Sequence, residues 1–191
     1  MESVLNPVIH LGIDIGYKRD TSAVVGTYRD LDRKKYGLFC HKIWEPPVHI
    51  PDVTDYVIRI LENERVGGIW FDPMQYAAET QRLRNDGYGH LLREVSQSGS
   101  YMIGIASNLH TLVQRRDFEM YTDGELRAHF LHCAVKMTEA GPRIIKLKQT
   151  RPIDAVVAGA MSLWGASQDT GYISHPALDE ERHTMSLEVL P

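Results

Sequence analysis

Residues 152–165, PIDAVVAGAMSLWG, carry one charge in fourteen positions. Proline at the opening position, where a missing N–H costs nothing, followed by an alanine-rich run, predicts a helix over Pro152–Trp164. A helix apolar on nearly every side has to be covered all round, so the rest of the chain must supply layers to enclose it. Its only charge, Asp154, then stands beside a low-dielectric core and needs a compensating partner.

At 191 residues the chain is long enough to enclose such a helix in one domain with a substantial core. The enclosing layers read as strands first. Residues 8–15 (VIHLGIDI) and 22–28 (SAVVGTY) are rich in β-branched residues and flank a loop containing Gly16, which favours two antiparallel strands. Gly37–Trp44 continues as a third. After Pro46, Pro47 and Pro51, the apolar residues Val53, Val57, Ile60 and Leu61 fall at helical spacing, with Gly67 and Gly68 expected to close that helix. IWF at 69–71 is a short buried strand ending at Asp72, followed by a helix over Met74–Asn85, and HLLREVS reads as a strand. Ser100–Arg116 is expected as a helix through Ile105, Leu109, Leu112 and Val113. Asp123 caps another, expected to run to about Ala140 with Leu126, Phe130, Ala134 and Met137 on one face. Arg143–Lys148 reads as extended, and the remainder from Gly165 as a polar tail. Three strands followed by alternating helices and strands predict an α/β domain with a mixed sheet and helices on both faces.

Composition narrows the class further. No run of about 18 apolar residues occurs, and the start MESVLNPVIHLG lacks the parts of a secretory signal, so a reducing, cytoplasmic setting is expected. Cys40 and Cys133 offer no zinc-type spacing and are expected as buried thiols. A net charge of -4 argues against a coat of positive charge, yet leaves room for a local basic stripe that binds nucleic acid.

Three carboxylates stand where elements end: Asp14 after the first strand, Asp72 in WFDP, and Asp154 at the opening of the apolar helix. Sites on α/β sheets are commonly built at such ends. Each acid also has a plainer reading. Asp154 matches a helix dipole, Asp72 opens a turn, and Asp14 meets solvent at a strand end. HLGIDIGYKRDTSAVVG taken by itself is equally compatible with a metal site, a phosphate cradle or an ordinary hairpin.

Four stretches in order resemble the C-terminal nuclease domain of phage large terminase subunits, the DNA-packaging motors of tailed bacteriophages. They are GIDIG with DTSAVVG close behind, WFDPMQYAAETQRLRNDGY, REVSQS leading into a helix, and KLKQTRPIDAVVAGAMS. Together they cover about residues 8–166, and the last is the most specific. The resemblance implies an RNase H-like α/β fold, a mixed β-sheet flanked by helices on both faces, with three acids at one end of the sheet binding two divalent ions. By position it maps that role onto Asp14, Asp72 and Asp154, with Asp14 bridging both ions. Mg²⁺ or Mn²⁺ is the implied cofactor, since both favour oxygen ligands. The implied activity is metal-dependent endonucleolytic cleavage of double-stranded, concatemeric viral DNA during genome packaging, by two-metal-ion phosphodiester hydrolysis. Implied partners are double-stranded DNA, the terminase ATPase domain, the small terminase subunit and the portal protein, in the host cell cytoplasm. No G-x-x-x-x-G-K-[ST] phosphate loop occurs, so the expectation is a nuclease domain over 1–166 with a tail over 167–191, separate from any ATPase motor.

Asp20 is a candidate fourth acid, or else a turn residue bonding its own loop. Lys18 and Arg19 meet phosphate or form a solvated loop tip. Arg143, Lys146, Lys148 and Arg151 form the clearest basic stretch, suited to sequence-independent phosphate contacts or to solubilising an exposed strand. His129 and His132 read as surface or packing histidines. Two other assignments compete. An actin-like nucleotide-binding ATPase fragment shares the Asp-x-Gly turn but needs a second phosphate loop, and another RNase H-like nuclease, of Holliday-junction resolvase or transposase type, differs only in substrate. A non-catalytic DNA-binding module is a third.

Overall fold

The strand β1 (Ile9–Asp14) is buried along its whole length, which requires cover on both faces of the sheet that contains it. The computed structural model describes residues 7–16, 20–96 and 99–169 and supplies that cover. β1 pairs antiparallel with β2 (Ser22–Asp30), which pairs antiparallel with β3 (Lys35–Trp44). On its other side β1 runs parallel to β4 (Val66–Phe71), and β4 runs parallel to β5 (Leu92–Glu94). The two-residue β6 (Phe118–Glu119) joins the outside of β3, so the mixed sheet has the order β5-β4-β1-β2-β3-β6.

Helices close both faces. α1 (Ile50–Asn63) and α2 (Pro73–Asn85) cover one, where Val53, Val57, Tyr76 and Leu83 pack on Ile9, Leu11, Ile13, Val24, Ile69 and Phe71. α3 (Ser100–Arg115), α4 (Gly124–Leu131) and α5 (Asp154–Gln168) cover the other. The period-two alternation of β1 explains the division, because its large apolar residues face α1 and α2, while His10, Gly12 and Asp14 face α5. Gly12 is small for a reason: a Cβ there would lie 1.9 Å from the carbonyl oxygen of Ala158, so the α5 backbone rests directly on the strand. Ser162 fastens the contact by donating to the His10 carbonyl at 2.7 Å, and its hydroxyl also meets that of Thr27 at 2.6 Å.

Two expectations fail. The helix expected over 123–140 ends at Leu131, and the chain then forms a separate hairpin of β7 (Cys133–Thr138) and β8 (Gly141–Lys146). Gly141 adopts φ +126° at the reversal, a conformation no helical residue takes. Likewise α1 stops at Asn63, and Gly67 and Gly68 lie inside β4, where His10 and Trp70 leave little room for side chains. α5 runs to Gln168, past the boundary expected at 166, while most of the tail expected over 167–191, from residue 170 onward, lies outside the described residues. Cys40 and Cys133 are free and half-buried, and burial pushes the Cys40 thiol up to about 11. No described helix is long and apolar enough to cross a membrane.

Candidate metal centre

The register of the central strands brings the sequence acids to one end of the sheet. Ile13 pairs with Phe71, so Asp14 and Asp72 follow at neighbouring positions where β1 and β4 run out in parallel. Asp14 also stands opposite Ala23, and Ala23 packs against Ala155 in the first turn of α5. Asp154 is therefore delivered to the same end by a helix that runs along β1 in the opposite sense. Asp14 and Trp70 both belong to the α5 side, and Asp72 continues the alternation of β4 on that side.

Each carboxylate has its own setting. Asp14 and Asp154 are each only 7% exposed, so neither can rely on bulk water to hold its charge. Thr21, at the entrance to β2, donates its hydroxyl to Asp154 Oδ2. Asp72 caps α2, accepting the Met74 N–H at 2.9 Å, with Pro73 at the first helical position. That cap uses Oδ1 and commits one oxygen of two. The N-termini of α2 and α5 thus meet at the acid end, and their positive dipole ends favour negative charge there. Among the described residues, no three His, Cys, Asp or Glu side chains stand at metal-holding spacing. The acids share an end and a face, while their carboxylates are held by local partners.

The chemistry of this donor set can be matched to a cation. It is all-oxygen and anionic, which suits hard divalent ions such as Mg²⁺ and Mn²⁺ and gives no soft sulfur ligand. The buried His129 is committed elsewhere, because its Nδ1 accepts the Ala155 N–H at 3.2 Å. Burial pulls its pKa below the ordinary imidazole value, against the nearby charge of Asp154, which raises it. The alternative of a phosphate cradle after β1 loses one donor at Gly16, whose N–H is taken by Ser22 Oγ at 3.0 Å.

The other candidates divide. Asp20 lies next to Thr21 at the acid end, but its exposed carboxylate pairs with Lys146 at 3.1 Å. Lys148 and Arg151 lie exposed in the turn that leads into α5. Arg143 is carried away from them. It sits opposite Lys136 on the outer side of the hairpin, whereas Lys146 occupies the side turned to Asp20, so the basic stretch does not act as one stripe. Lys18 and Arg19 lie outside the described residues. His132 is half-buried, and His129 is a packed, hydrogen-bonded residue, as a packing histidine should be. Sequence reasoning gave Thr21 no role and His129 no partner, and both touch the Asp154 turn.

No protein-family model matches the chain, and no curated protein matches it. Solved structures do match it in fold. The large terminase of bacteriophage HK97 superposes with a TM-score of 0.72 at 19% identity, over 85% of this chain and 40% of that one. The large terminase nuclease of thermophilic phage G20c with bound magnesium gives 0.61 at 18% identity, over 83% of this chain and 82% of that one. The g2p nuclease domain of bacteriophage SPP1 with bound Mn gives 0.59 at 14% identity, over 83% and 86%. The chain thus spans about 40% of the HK97 protein's length and most of the separate nuclease domains.

Proposed function

We infer a nuclease role from the fold, which is similar to that of phage large-terminase nuclease domains. From that premise we propose that the chain is a divalent-metal-dependent endonuclease that hydrolyses phosphodiester bonds of double-stranded DNA, used to cut concatemeric viral DNA during genome packaging. One observation carries the reading: Asp14, Asp72 and Asp154 converge on one end and one face of the sheet, two of them nearly fully buried. Carboxylates gathered at one end of a sheet form an all-oxygen, anionic donor set of the kind hard divalent cations take, which favours a metal-binding role.

Asp14, central in the sheet, would hold Mg²⁺ or Mn²⁺ together with Asp72 and Asp154. Such ions supply the charge that offsets the phosphate and the acidity that water lacks at neutral pH. The protein supplies position. β1, β4 and α5 hold the acids on packed elements. Lys148 and Arg151 are exposed on the approach to α5 and would bind backbone phosphates without reading bases. In the proposed setting the partners are the ATPase domain of a longer chain, the small terminase subunit and the portal protein.

Incubating supercoiled plasmid with the chain in Mg²⁺ or Mn²⁺ tests the reading. Nicked and linear DNA should form, EDTA should stop the reaction, and Asp14→Asn, Asp72→Asn and Asp154→Asn should each abolish it. Equal cleavage by wild type and all three variants would sink the proposal.

A further inference from the structure

Asp154 opens α5 under an unusual constraint. The N-cap position belongs to Ile153, which has no side-chain acceptor, so the first-turn N–H groups have to find partners elsewhere. One partner comes from α4, where His129 Nδ1 accepts the Ala155 N–H at 3.2 Å, with the imidazole only 2% exposed. A backbone donor at Nδ1 requires a lone pair there, which leaves the ring proton on Nε2 and the ring neutral. On the other side of Asp154, the Thr21 hydroxyl donates to Oδ2, and Thr21 is itself 4% exposed.

We infer that Thr21 and His129 are positioning residues for Asp154, fixing which of its oxygens is offered to a divalent cation. The inference rests on the metal-dependent nuclease reading above. Thr21 occupies one lone pair of Oδ2, so Oδ1 would be the freer oxygen for a cation. His129 fixes the turn from which that oxygen projects. The choice of imidazole has a physical reason. A Ser or Asp at the N-cap would replace Ile153, which packs in the core, and an Asp would add a further negative charge beside Asp14 and Asp154. A neutral ring on a neighbouring helix provides the acceptor without either cost.

The test reads Mn²⁺ binding directly, by the electron paramagnetic resonance signal of the free ion, alongside plasmid cleavage. Thr21→Val and Thr21→Ala both delete the hydroxyl, and the one that keeps the wild-type urea midpoint carries the comparison. Its Mn²⁺ affinity should fall about tenfold or more, the usual cost of losing a group that orients a metal ligand. Thr21→Ser should restore it. His129→Asn, which keeps a neutral acceptor, should stay close to wild type, while His129→Phe should weaken Mn²⁺ binding as Thr21→Val does. Wild-type affinity in a folded Thr21→Val or Thr21→Ala protein would overturn the inference. If that happens while wild type binds Mn²⁺ and Asp14→Asn does not, the positioning role falls alone and the metal-centre reading stands. If wild type binds no Mn²⁺, both readings fall.

Discussion

The two ends of α5 bury polar groups against the same strand and resolve them in opposite ways. At the far end His10, 6% exposed, meets Asp169 at 3.3 Å through Nε2, so a group able to donate faces a group able to accept. Asp169 also accepts Arg29 on its backbone carbonyl at 3.1 Å. At the near end the polar groups, Asp14 and Asp154, are both carboxylates, each 7% exposed. The far end sets an imidazole against a carboxylate, and the near end gathers two nearly buried carboxylates. A shared helix packed on β1 through Gly12 holds both arrangements in register.

The sharpest way to break this contrast is to neutralise each end in turn. Asp14→Asn or Asp154→Asn should lower plasmid cleavage by about a hundredfold or more, as removal of a charge-stabilising group commonly does. In EDTA the same variants should unfold at or above the wild-type urea midpoint, because a neutral amide replaces a nearly buried carboxylate. Wild type should gain stability as Mn²⁺ is added, about 2.7 kcal/mol at a hundredfold excess over Kd, and Asp14→Asn should gain none. His10→Gln, by contrast, should leave cleavage unchanged. A His10→Gln variant that lost cleavage, or an Asp14→Asn variant that kept it, would reverse the roles assigned to the two ends.

Next in size is the shared helix. Gly12→Ala would push a Cβ to 1.9 Å from the Ala158 carbonyl oxygen, a backbone atom that can yield only by lifting α5. A loss of about 3 kcal/mol or more is expected, the upper part of the range for overpacking. Gly165→Ala meets side-chain rather than backbone atoms, Trp70 Nε1 at 2.2 Å and His10 Nδ1 at 2.9 Å, and it gains helix propensity in return. About 1–2 kcal/mol is expected there. Urea midpoints rank the two, and equal losses would mean that α5 does not rest on β1 more rigidly at Gly12 than at Gly165.

Most of this contrast could be read in the linear chain where the signal is local. The alternation in IHLGID, the helical spacing of Val53, Val57 and Ile60, and the uniform apolarity after Asp154 each reflect burial of a nearby face, and each appears in the structure as a strand or helix. The failure over 123–140 is one of strand pairing rather than of helical spacing. Leu126, Phe130, Ala134 and Met137 are spaced for a helix, yet Cys133–Thr138 is drawn into β7 by pairing with β8, which local periodicity does not register. The site divides the same way. The three acids stand out because each ends an element, but the Thr21 hydroxyl reaches Asp154 across 133 positions, and His129 reaches Ala155 across 26. No pattern in DTS or in AHFLH encodes those contacts; they arise only once α4, α5 and β2 have packed.

The smallest expected effect concerns pH and isolates the far end. Burial is the main influence on His10 and holds its pKa below the ordinary 6.5; Asp169 raises it and Arg93 lowers it further. The folded ring therefore takes up a proton less readily than the unfolded one. Where the unfolded chain is protonated and the folded chain is not, stability must fall as pH falls. The contribution is fully present above about pH 6.5 and is lost as pH drops through the window beneath it, down to the folded pKa. Urea midpoints at pH 8, 6.5 and 5.5 should decline in wild type and decline less in His10→Gln. The slope that remains belongs in part to buried His129, which burial also holds low. The EDTA series keeps metal binding out of the comparison, so a His10→Gln variant with the full wild-type slope would show that proton uptake at the far end does not couple to folding.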